Sequence, residues 1–235
     1  MPWGVSNDFP SKEKLRILSF LNILTCEAIM KLFYTPGACS MACHITLREL
    51  ALPFDLIKVD LATGRMETGE DFRILNSKGY VPALKLDNGA LLTENQVILQ
   101  YLVDQVPATD LAPPQGTLER YRLMEWLAFI ATELHKGFGP LWNRDLPKEI
   151  HQLAKERLGK QFGFVEKTLS GHEWLLGEKF TIADAYLFTV LHWAHVLKMD
   201  LSPWPVLESY IHRVSNRPQV KATLVSEGLI SSDFA

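Results

Sequence analysis

Cys39, Glu94 and His135 are the side chains of this sequence whose types and settings suit them best to do chemistry. Cys39 follows an apolar stretch and the Thr35-Pro36-Gly37 turn, so it opens the first predicted helix. Unpaired backbone N–H groups and the helix dipole favour an anion there. A thiol so placed drops from about 8.5 to roughly 3.5–7.5 and becomes a nucleophilic thiolate near neutral pH. The competing reading is a small, buried, inert cysteine, which suits Cys43 one turn further in. The Cys-x-x-x-Cys spacing excludes a thioredoxin-type Cys-x-x-Cys couple, and no paired Cys/His spacing suits zinc.

Val81-Pro82 precedes a strand edge. The residues alone favour an ordinary trans proline starting a strand. A cis bond would instead free the Val81 N–H and C=O to pair with a peptide-like ligand. Thr93-Glu94-Asn95 stands at another helix start, with Thr93 read as the cap and Glu94 available to a ligand ammonium. In Glu133-Leu134-His135-Lys136, on a long predicted helix, Ala128 and His135 share a face with Thr132 beside them. Thr181-Ile182-Ala183-Asp184 fits an N-terminal capping box with a structural role only.

The elements that must position these groups follow from periodicity. Met30–Tyr34 reads as a strand, 40–51 as a helix ended by Pro53, and 54–59 as a second strand, which makes a βαβ unit. Residues 62–78 are polar and Gly-punctuated. Asp87-Asn88-Gly89 between two apolar runs is a hairpin signal, and a helix follows through Gln105. Residues 107–117 hold three prolines and a glycine and read as a linker between a domain over 30–106 and another over 118–235. Beyond it the patterns are helical throughout: a helix through Leu123, Leu127, Ile130 and Leu134, another over 148–170, a nearly all-apolar one over 183–194, and two after Pro205 and Pro218. The fold class is therefore α+β, βαβ-ββα followed by an all-helical domain.

With 47% hydrophobic and 22% charged residues, the 235-residue chain can bury a substantial core. Lys+Arg at 24 against Asp+Glu at 27 argues against a nucleic-acid partner. Three cysteines, an odd number, make no disulfide framework and point to a reducing compartment. Residues 1–29 form an N-terminal extension containing Cys26, with an apolar run over 17–24 that is too short to span a membrane. Asn22 interrupts that run and no small-residue cleavage site follows, so the segment reads as an appended stretch ahead of Met30 and not as a secretory signal.

From Met30 to Ile230 the sequence resembles the cytosolic glutathione transferases, most closely the bacterial beta class. The resemblance is carried by the order and spacing of Lys31 through Ser40, Gly79-Tyr80-Val81-Pro82-Ala83-Leu84, Leu92-Thr93-Glu94, Glu133-Leu134-His135-Lys136, Thr181 through Asp184 and Glu227-Gly228-Leu229-Ile230. It implies a thioredoxin-like N-terminal domain holding glutathione as co-substrate, and a helical domain forming the electrophile pocket. It also implies Cys39 beside the glutathione sulfur, Val81 on the cysteinyl backbone with Pro82 cis, and Glu94 and Asn95 at the γ-glutamyl end. Thr132, Glu133, Leu134 and His135 would approach from the helical domain, His135 near the sulfur, so that Cys39 and His135 are the catalytic pair. Tyr34 and Ser40 are of the types other classes use, but the beta-class pattern favours Cys39. A cytoplasmic homodimer, without metal or membrane, completes what the resemblance implies.

Asn95 stands where the family usually has Gly or Ser, and two further departures matter more. Gly64 stands where a lysine commonly meets the glycyl carboxylate, with Arg65 next to it as a substitute, and Ala128 replaces an asparagine. Losing one hydrogen bond to a charged group costs roughly 1.5–3 kcal/mol. Residues 30–110 carry seven basic and ten acidic side chains, so local groups and not bulk charge must attract an anionic tripeptide. The expected activity is conjugation of the glutathione thiolate to a small, largely apolar electrophile. The alternatives are thiol redox, peroxidase or dehalogenase chemistry through Cys39, or a non-catalytic binding protein on the same fold.

Overall fold

The structure, a computed structural model, describes residues 29–231. The extension read over 1–29, with its Cys26, lies outside the described residues save for Ile29. Strand β1 (Met30–Tyr34), helix α1 (Ser40–Glu49) and strand β2 (Phe54–Asp60) form the βαβ unit, with β1 and β2 parallel. A short β3 (Arg65–Met66) and a single turn α2 (Phe72–Leu75) punctuate the polar stretch that follows. Strands β4 (Ala83–Lys85) and β5 (Leu91–Thr93) make the hairpin, whose turn needs the left-handed backbone of Gly89, φ +84°. Helix α3 (Asn95–Asp104) closes this half, and the sheet order is β3-β2-β1-β4-β5.

The alternation along β1 builds two cores. Leu32 and Tyr34 face α1 and α3, whereas Phe33 packs with Val59 and Phe72 on the other side. The larger core runs without a break from α1 and α3 into the helical half. There α4 (Leu118–Phe129), α5 (Gly139–Trp142), α6 (Lys148–Leu169), α7 (Ile182–Val196), α8 (Pro205–Ser215) and α9 (Pro218–Ser226) follow in order. Helix α7 is buried nearly all round, as its composition predicts, and α1 packs directly on it. The proline-rich stretch is no loose tether: Leu111 is buried, and its carbonyl accepts the Ile182 N–H at 3.0 Å. Among the described residues no helix is long and apolar enough to cross a membrane.

One element differs from expectation in a way that matters. The predicted continuous helix through Leu134 ends at Phe129, gives way to a π turn over Ile130–His135, and tightens to a 3₁₀ turn over Lys136–Phe138. The Thr132 hydroxyl bonds back to the Ala128 carbonyl at 3.0 Å, a contact that bends helices. The wider turn changes which side chains share a face.

Candidate active site

A cleft of about 700 Å³ lies between the two halves, and its floor is the loop that joins β1 to α1. That loop is held at both polar groups of Gly37, whose φ of +70° an L side chain rarely adopts. Its N–H donates to Glu227 Oε2 at 2.8 Å, and its C=O accepts from Trp193 Nε1 at 2.8 Å. The other Glu227 oxygen meets His44 Nδ1 at 2.9 Å, while Arg48 Nε donates to His44 Nε2 at 3.0 Å. Because Nε2 accepts, Nδ1 carries the ring hydrogen and donates to the buried carboxylate. Residues from α1, α7 and the segment after α9 thus fix the backbone that presents Cys39.

Cys39 lines the cleft but is only 9% exposed. Its Sγ donates to the Val81 carbonyl at 3.2 Å, across the turn made by the cis Val81–Pro82 bond. Pro82 is therefore cis, as the resemblance implied and against the reading from the residues alone. Burial pushes the thiol up to about 12, although its own N–H, that of Ser40 and the nearby Lys136 ammonium all favour the thiolate. The expected drop toward a thiolate is overturned, because desolvation outweighs the helix N-terminus. Cys43 is buried, as expected, and donates to Asn95 Oδ1 at 2.9 Å. Tyr34 and Ser40 are both buried, and neither lines the cleft.

Across the floor, the Val81 N–H has no hydrogen-bond partner among the described residues. Glu94 sits at φ +71° and caps nothing with its side chain. Its carboxylate takes Lys78 Nζ at 2.6 Å, and the same ammonium reaches Thr93 Oγ1 at 3.2 Å. Thr93 is accordingly the last residue of β5 and not the helix cap. Asn95 is buried beneath the cleft, and its Nδ2 has no hydrogen-bond partner.

From the helical half, His135 faces the cleft with its Nδ1 2.7 Å from the Tyr186 hydroxyl. Burial and the Lys136 charge hold the imidazole down at about 4, so it is neutral at physiological pH. Burial also raises the Tyr186 phenol, which keeps its proton. Trp142, Trp193 and Val196 form an apolar wall beside this pair, the two indoles meeting edge-on at 5.9 Å.

Other expected site residues lie elsewhere. Leu134 is wholly buried in the core, Glu133 pairs with Arg157 at 3.2 Å, and the Thr132 hydroxyl is occupied by Ala128. None of the three lines the cleft, because the π turn brings Ala131, His135 and Lys136 to it instead. Arg65 also fails to reach it, since its guanidinium donates to the Gly69 carbonyl at 2.7 Å. At Gly64 the backbone, φ +72°, is one an L side chain rarely adopts, and a Cβ there would also displace the movable tip of Arg73, whose Nη2 lies 2.8 Å away. Lys78, Tyr186 and Trp193 escaped the sequence reading. The seven-residue spacing of Tyr186 and Trp193 on α7 was the available signal, hidden in a helix apolar on every side. Among the described residues no three Cys, His, Asp or Glu side chains gather as a metal site.

Residues 37–105 match the family model described as the glutathione S-transferase N-terminal domain, and residues 129–218 match the corresponding C-terminal domain. The chain is 49% identical over 200 residues to glutathione S-transferase GstA of Escherichia coli O157:H7, a match spanning 85% of this chain and 100% of that protein. A beta-class glutathione S-transferase of Sphingomonas chungbukensis superposes with a TM-score of 0.82 at 47% identity, over 85% of this chain and 100% of its own. A sphingomonad glutathione S-transferase complexed with glutathione gives 0.82 at 44% identity, over 85% and 100%.

Proposed function

The chain belongs to the glutathione S-transferase family and is a glutathione transferase; from that premise we propose that its cleft holds glutathione along β4 and presents the thiolate to an electrophile seated on Trp142, Trp193 and Val196. The observation that supports this most directly is the free Val81 N–H at the edge of the cleft, a backbone donor aligned for a peptide ligand. The cysteinyl residue of glutathione pairs there, and its γ-glutamyl ammonium takes Glu94 from Lys78. Lys78, released, meets a carboxylate of the tripeptide, a duty Arg65 and Gly64 leave open. Thr132, Glu133 and Leu134 contribute only by shaping the π turn that aims His135.

In the transfer step the glutathione thiol loses its proton to solvent. The thiolate pair then forms the S–C bond as the leaving group departs with its own electrons. Once the cysteinyl N–H of glutathione takes the Val81 carbonyl, the Cys39 S–H that held it turns to donate to the glutathione sulfur, and Cys39, kept protonated by burial, does not act as a second nucleophile. The electrophile is an apolar or aromatic small molecule, since the wall offers it indole faces. The enzyme works as a homodimer, for which the exposed Val97, Leu118 and Tyr121 supply an apolar face on α3 and α4. Its described cysteines are free thiols, as the reducing cytoplasm keeps them.

Calorimetric titration with glutathione tests the reading: micromolar to millimolar binding is expected, and Glu94→Gln should weaken it about tenfold. No binding at millimolar glutathione would sink it.

A further inference from the structure

The electrophile side of the cleft carries a polar group that the transfer step leaves idle. Other polar side chains around the cleft are spent inside the protein: Cys39 on the Val81 carbonyl, His135 on Tyr186, Lys78 on Glu94 and Asn76 on the Tyr80 carbonyl. The rings of His44, His135, His151 and His212 each have a hydrogen-bond partner, whereas that of His192, which lines the cleft, has none among the described residues. Its ring nitrogens are not sealed from solvent. Helix α7 sets the place: Trp193 is the next residue and Val196 the fourth on, so the imidazole stands about 5–6 Å from Val196 at Cβ, beside the apolar wall. Phe188, one turn back, supports the ring at 6.3 Å between centroids. Burial, and then the nearby His195, hold the imidazole below its ordinary range, so it is neutral at physiological pH and carries one N–H.

An electrophile that covers this ring without bonding to it strips water from an unpaired polar group, which costs affinity. We infer that His192 donates its N–H to an oxygen of the electrophile on which negative charge gathers as the S–C bond forms, so that the cleft prefers nitro-activated aryl halides and α,β-unsaturated carbonyl compounds. In a nitroaryl halide the thiolate pair forms the S–C bond, a ring π pair moves onto a nitro oxygen, and its return expels the halide. In an unsaturated carbonyl compound the thiolate adds at the β carbon, the π pair moves onto the carbonyl oxygen, and the α carbon then takes a proton from solvent. Either oxygen is more negative in the transition state than in the substrate, so a fixed N–H there raises the rate and not only the affinity. A benzyl halide carries no such oxygen and sends its charge to the departing halide. The inference rests on the transferase reading of the cleft.

Steady-state kinetics of the full-length protein with 1-chloro-2,4-dinitrobenzene and with benzyl chloride test it. His192→Leu should lower kcat/KM for the nitroaryl halide about tenfold, while that for benzyl chloride and the KM for glutathione stay within about twofold. His192→Phe, a second variant without a donor, carries the same expectation should leucine unsettle α7. His192→Gln keeps an N–H and should bring the nitroaryl rate back to within about threefold of wild type. An equal fall for both electrophiles would reduce His192 to packing and overturn the inference. An unchanged nitroaryl rate, or a glutamine variant as slow as the leucine one, would overturn it too. A wild type that binds no glutathione in calorimetric titration sinks the functional reading and this inference together, whereas binding with equal falls sinks the inference alone.

Discussion

Helices α1 and α7 both begin with a buried acidic group at the N-terminus, and the two ends resolve the problem of burial differently. Cys39 at the start of α1 gives its hydrogen to one carbonyl and is pushed up to about 12. Asp184 in the first turn of α7 is wholly buried, yet burial raises it only to about 6. Its two oxygens accept the Leu175 N–H at 3.0 Å, the Thr181 N–H at 2.9 Å, the Thr181 hydroxyl at 3.0 Å and the Tyr210 hydroxyl at 3.0 Å. A helix N-terminus by itself does not ionise a buried group; the number of donors within bonding distance decides how much of the desolvation cost is offset.

The sharpest way to break this contrast is thiol reactivity. With its thiol near 12, Cys39 should alkylate at neutral pH about three orders of magnitude more slowly than a free cysteine, since only the thiolate reacts. Its rate should climb steadily through about pH 9, and a plateau below about pH 8 would mean the helix N-terminus wins after all. At the other end, Asp184→Ala strands the buried Leu175 and Thr181 N–H groups and leaves the Tyr210 hydroxyl only the residue 184 carbonyl, at 3.2 Å. It should destabilise the fold by about 3 kcal/mol or more in urea unfolding. Activity per folded molecule should stay near wild type, because Asp184 lies outside the cleft.

The smallest effect lies in the pH dependence of stability. The folded Asp184 keeps its proton from about pH 4 to about 6 while the unfolded chain gives it up, so its contribution falls as pH rises through that window. His135 has the opposite sign: folded it is neutral down to about 4, and its contribution grows as pH rises from about 4 to 6.5. The two largely cancel in the wild type. His135→Gln should expose the falling Asp184 slope, at most about 1.4 kcal/mol per pH unit, and Asp184→Asn the rising one. Urea midpoints that do not move between about pH 4.5 and 6 in either variant would show that neither group titrates as the contacts imply.

The capping box of α7 was legible because it is local: Thr181 and Asp184 are three residues apart and bond to each other's backbone. The strands, the hairpin and the buried α7 were legible for the same reason, since periods of two and near four are written along the chain. The face of the Glu133-Leu134-His135-Lys136 segment was not. A helical period carried through it places Thr132 beside His135, but the helix widens to a π turn from Ile130, and the Thr132 hydroxyl bonds to the Ala128 carbonyl away from the cleft. Arg65 misled in a similar way, since adjacency in sequence to Gly64 says nothing of the Gly69 carbonyl that claims its guanidinium.

What the sequence determined alone is the order of elements, the two-part α+β plan and the identity of the groups at the cleft: Cys39, Val81, Glu94, Asn95 and His135. These follow from local patterning and a distinctive order of motifs. Only the tertiary structure decided their state: the proton on Cys39, the ion pair between Lys78 and Glu94, and the partner of His135 on α7. Burial and hydrogen-bond geometry set those, and both depend on residues far apart in sequence, such as His135 and Tyr186 with a separation of 51.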